Sequence, residues 1–179
     1  MRLIKILSTL TLLVCLSQCS PKEASYQIEN IPICYKDYEL HLGMDFDTLK
    51  AKFPDLVINQ KGPNKATNQI FDFYSLSEPT IKVSRYTQMT PTIYASLSKD
   101  QELLGLSIQY LCSGSGQLDH LDLIVDYVRT KLYTCMSKNF IQNGLKEETS
   151  TDNYSSLIQL DTSQANFWNF IYEIKLKPH

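Results

Sequence analysis

The stretch from Glu102 to Cys112 constrains the fold most. Leu104, Leu106, Ile108, Tyr110 and Cys112 recur at every second position, the spacing that places all five side chains on one face of an extended strand. Lys99-Asp100-Gln101 joins this run to a second strand-like run, Thr92 to Ser98, which predicts a hairpin. A sheet with one apolar face needs a covering layer. The clearest helical period offers one: Leu118, Leu121, Val125, Val128, Leu132 and Cys135 recur in steps of three and four, predicting an amphipathic helix over about 117–139. Asp119 and Asp122 would oppose the positive end of its dipole. The fold class expected is α+β: a largely antiparallel sheet with one long amphipathic helix packed on a face.

Shorter signals fill in the rest. Tyr38-Glu39-Leu40-His41-Leu42 alternates as a half-buried strand and Gly43 ends it. Asp45 or Asp47 can cap a short helix over about 45–53 that carries Phe46, Leu49 and Phe53 on one side, and Pro54 stops it. Asp55–Asn59, Gln69–Leu76, Thr80–Gln88, Ser155–Asp161 and Phe167–Leu176 read as strands, Lys61–Asn68 as a loop, and Glu147-Glu148 as a surface turn.

The first nineteen residues describe an address. Arg2 and Lys5 precede a mainly apolar run from Ile6 to Leu16, too short to span a bilayer with wide margin, as in a secretory signal. Leu16-Ser17-Gln18-Cys19 resembles the lipobox of bacterial lipoprotein precursors, with Gln18 departing from the small residue usual before the Cys. The resemblance implies that residues 1–18 are removed and that Cys19 is diacylated to become the mature N-terminus. Ser20 implies sorting to the outer membrane. Two or three acyl chains would anchor the protein firmly, since each buried methylene adds about 0.8 kcal/mol. Residues 19–30 then form a polar tether and 31–179 a single domain. Leu42-Gly43-Met44-Asp45-Phe46-Asp47-Thr48-Leu49, ending at Phe53-Pro54, resembles the strand–Gly-Met–helix opening of small bacterial envelope lipoproteins of the BamE/SmpA type; it covers about a dozen positions, and no partner is carried over from it.

Charge and cysteines bound the partners. The part from Cys19 onward holds 15 basic and 19 acidic residues, with no basic cluster, which excludes a nucleic-acid surface. Removal of Cys15 and lipidation of Cys19 leave Cys34, Cys112 and Cys135, an odd number for an oxidising compartment. In an unbroken helix from Gln117, Cys135 would lie about 27 Å along it, too far from a strand end at Cys112 for a disulfide. Cys34 is therefore the expected partner of one of them, Cys135 first and Cys112 as the alternative.

Candidate chemistry is sparse. Cys112-Ser113-Gly114-Ser115-Gly116-Gln117 lacks the lysine of a phosphate-binding loop. Glu39 and His41 share a strand face; Asp119, Asp122 and Asp126 share a helix face, with His120 beside them. No metal-ligand spacing, catalytic set or cofactor motif is present. In Phe167-Trp168-Asn169-Phe170-Ile171-Tyr172, the residues Trp168, Phe170 and Tyr172 share one face, which reads as a central buried strand or as an aromatic contact patch. His179 reads as a mobile end. The expected function is a non-enzymatic, lipid-anchored, periplasm-facing domain that binds another envelope protein or an incoming one, as an assembly factor or an immunity protein. An envelope hydrolase and a small-ligand binder are the alternatives.

Overall fold

The computed structural model describes residues 25–59, 72–75, 79–83, 87–114, 121–133, 144–164 and 167–179. Its architecture is mostly β, and this corrects the α+β expectation. Strands β1 (Pro32–Ile33) and β2 (Leu40–His41) form a small antiparallel pair, followed by helix α1 (Phe46–Lys52). Among the described residues the main sheet has eight strands: β3 (Val57–Asn59), β4 (Asp72–Ser75), β5 (Ile81–Lys82), β6 (Thr87–Leu97), β7 (Leu103–Gly114), β8 (Lys146–Ser150), β9 (Tyr154–Gln164) and β10 (Phe167–Leu176). They run β3-β4-β6-β7-β10-β9-β8, every pair antiparallel, and β5 pairs with β6.

The β6–β7 hairpin is the spine of the fold. Ser98 accepts at Oγ from the amides of Asp100 and Glu102 at 3.2 and 3.1 Å, while Gln101 adopts φ of 65°. Strand β6 starts at Thr87, five residues before the expected Thr92, and the expected strand Thr80–Gln88 divides between β5 and β6, the Val83 N–H donating to the Thr87 carbonyl at 3.0 Å. Pro91 explains why alternation alone misses this. It sits on β6 between the stretch paired with β5 (Gln88–Met89) and the stretch paired with β4 (Ile93–Ser96), a gap on that edge where a residue without an N–H is tolerated.

One face of the sheet is dry. The odd positions of β6 from Met89 to Leu97, the even positions of β7 from Leu104 to Cys112 and the even positions of β10 from Trp168 to Leu176 are buried in one cluster. Residues 33–56, Leu103, the segment 124–133, and Ile158 and Leu160 of β9 contribute the rest of that cluster. Asp45 caps α1 by accepting from the Thr48 N–H at 2.8 Å and its hydroxyl at 2.7 Å. Gly43, at φ of +83°, lets the chain turn into α1 while its N–H donates to Leu103 at 2.8 Å; an added Cβ would stand 2.8 Å from an Ile28 methyl.

The long helix over 117–139 is not formed. The described helix, α2, runs Leu121–Tyr127 and passes into a π-helical turn, Val128–Leu132, that ends at Tyr133. Residues 115–120 and 134–143 lie outside the described residues. Two causes are visible. The Thr130 hydroxyl donates to the Asp126 carbonyl at 2.7 Å, which competes with the helical ladder. The Tyr133 ring then turns into the core, with centroids 5.5 Å from Tyr35, 5.0 Å from Phe170 and 4.8 Å from Tyr172. Burying that ring outweighs continuing a stripe toward Cys135. Two further expectations are corrected. Glu147 and Glu148 lie in strand β8 and not in a turn. His179 is tied down, its N–H donating to the Ser25 carbonyl at 2.8 Å beside the Tyr26–Pro178 bridge.

Candidate functional site

The dry face of the sheet changes character toward β8. Across the sheet, Ile93, Ile108, Tyr172 and Ile158 stand in register, and the next position in that row is Glu147. The neighbouring row runs Ala95, Leu106, Ile174, Ser156 and Thr149. Two rows that are apolar in the centre thus end in a carboxylate and two hydroxyls. Strand β8 is exposed except for the half-buried Glu147, and the positions it lends to these two rows carry Glu147 and Thr149 where Ile or Val would be expected. Such a local break in the pattern is characteristic of a site.

A cavity of about 330 Å³ opens at this break. Glu147, Thr149, Tyr154, Ser156 and Tyr172 bring polar atoms to it, and Ile31, Ile158 and Ile174 give it apolar wall. The Tyr172 oxygen accepts the Cys34 N–H at 3.3 Å, which joins the β1 segment to the sheet. Burial pushes the Tyr172 phenol up to about 12; the Cys34 bond pulls the other way and nearby Tyr154 adds to the rise. The phenol therefore keeps its proton at neutral pH and can donate as well as accept.

The residues expected to carry chemistry fall elsewhere. Glu39 is exposed, and the His41 ring is half-buried with Nδ1 2.9 Å from the Leu42 carbonyl. Asp122 is exposed, Asp126 pairs with Arg129 at 3.1 Å, and Asp119 and His120 lie outside the described residues. Among the described residues no group of three or more His, Cys, Asp or Glu is placed to hold a metal ion. Trp168, Phe170 and Tyr172 are 7%, 1% and 4% exposed, so they form core and not a surface contact patch. Cys34 is disulfide-bonded. Cys112 is free and buried, which rules out the alternative Cys34–Cys112 bridge; Cys19 and Cys135 lie outside the described residues. Burial pushes the Cys112 thiol up to about 12, the reverse of what a nucleophile needs.

Glu147 was the residue hidden from sequence reasoning. The signal existed: the turn Thr151-Asp152-Asn153 precedes a strand, and a strand before that turn places Glu147 opposite Ile158.

The opposite face of the sheet is open to solvent. It presents Gln88, Thr90 and Tyr94 from β6 and Leu111 from β7, with Tyr94 44% and Leu111 50% exposed. Among the described residues no helix is long and apolar enough to cross a membrane. No protein-family model matches the chain, and comparisons with curated proteins and with solved structures find no match.

Proposed function

We propose that this chain is a bacterial envelope lipoprotein, anchored through lipid on Cys19, whose β-domain binds another protein through the open face of its sheet. The observation that carries the binding reading is that open face: Tyr94 and Leu111 project from the two central strands among Thr, Ser and Gln side chains. Isolated aromatic and aliphatic anchors in a polar surround are what a protein contact uses. The anchor rests on the Leu16-Ser17-Gln18-Cys19 pattern, and the compartment it implies agrees with a disulfide at Cys34.

The experiment combines the two halves. Full-length protein carrying a photo-crosslinking side chain at position 94 or 111 is expressed in a bacterial host. The reading expects Cys19-dependent membrane fractionation and one discrete adduct from positions 94 and 111. The adduct should be lost with Leu111→Glu, while Gln88→Glu, at the margin of the face, leaves it intact. Fractionation with membranes after Cys19→Ala overturns the anchor. Absence of any adduct overturns the binding face.

The cavity at Glu147 favours a second reading, a small-ligand-binding lipoprotein. It joins one carboxylate and several hydroxyls to an apolar wall, the composition of a ligand site at the small end of the usual range, roughly 300–1,000 Å³.

A further inference from the structure

We draw no further inference here: the strongest candidate, the groove on the open face of the sheet lined by Tyr94, Ser96, Gly105 and the Glu173–Lys175 pair, lies on the face already described, and nothing in the structure shows what covers it.

Discussion

Tyr133→Ala separates the observed helix ending from the one that hydrophobic periodicity suggests. Tyr133 is fully buried and its ring lies 4.8–5.5 Å from three other aromatic rings. Truncating a buried aromatic to Ala costs about 3–5 kcal/mol. With a domain stability of roughly 5–15 kcal/mol, the variant still folds but is much weakened. At a urea dependence near 2 kcal/mol/M, a loss of about 4 kcal/mol moves the unfolding midpoint down by about 2 M. The single tryptophan, Trp168, is 7% exposed in the sheet and reports the transition by fluorescence. Leu123→Ala is the control, since Leu123 is 51% exposed on the same helix and should shift stability by less than about 0.5 kcal/mol. In an unbroken helix, position 133 would sit about 100° around from Leu132, off the apolar stripe, and both variants would behave alike. A Tyr133→Ala midpoint within about 0.3 M of the parent in urea, less than a fifth of the expected shift, refutes the account.

Gly43→Ala should lower stability by about 1–3 kcal/mol, read as a drop in Tm, because a β-carbon at φ of +83° meets Ile28. Alkaline pH should destabilise the domain. Cys112 and Tyr172 are each raised to about 12, so each holds its proton more firmly folded than unfolded. That contribution is complete below the ordinary thiol and phenol ranges and is lost as pH climbs from about 9 toward 12. The unfolding free energy read from urea titrations should fall across this window by up to about 1.4 kcal/mol per pH unit per group, and Cys112→Val should flatten the fall. Peptide mapping without reduction should recover Cys34 joined to Cys135, because the Lys36 N–H donates to the Leu132 carbonyl at 2.6 Å. That bond brings the chain within three residues of Cys135, a reach of about 10 Å. Recovery of Cys34 joined to Cys19 would refute this pairing.

Much of the sheet was legible because alternation is a direct image of a pleat with one dry face. Leu104 to Cys112 and the strand Phe167–Leu176 follow it closely, and Asp45 announced its own helix. The helix 121–132 misled for a physical reason: a period of three and four records which residues are apolar, not where the backbone stops. Tyr133 carries more apolar area than the next member of the stripe, and the Thr130 side chain already loosens the ladder there. Strand β8 was obscured by composition, since Lys-Glu-Glu-Thr-Ser reads as surface. Its pairing with β9 overrides propensity, and with it goes the position of Glu147. Trp168, Phe170 and Tyr172 read first as a buried strand and second as a contact patch, and register beneath a covering layer decides for core.

The Tyr26–Pro178 bridge and the Ser25–His179 bonds stitch the two ends of the domain together. A circularly permuted variant could link them with a short polar connector and be reopened at the Thr151–Asn153 turn. The same stitching sets how the molecule bears load. Tension arriving through the residues before Ser25 meets this clasp before it reaches the sheet. A fusion placed after His179 would sit beside Ser25, at the point where the described part of the domain begins.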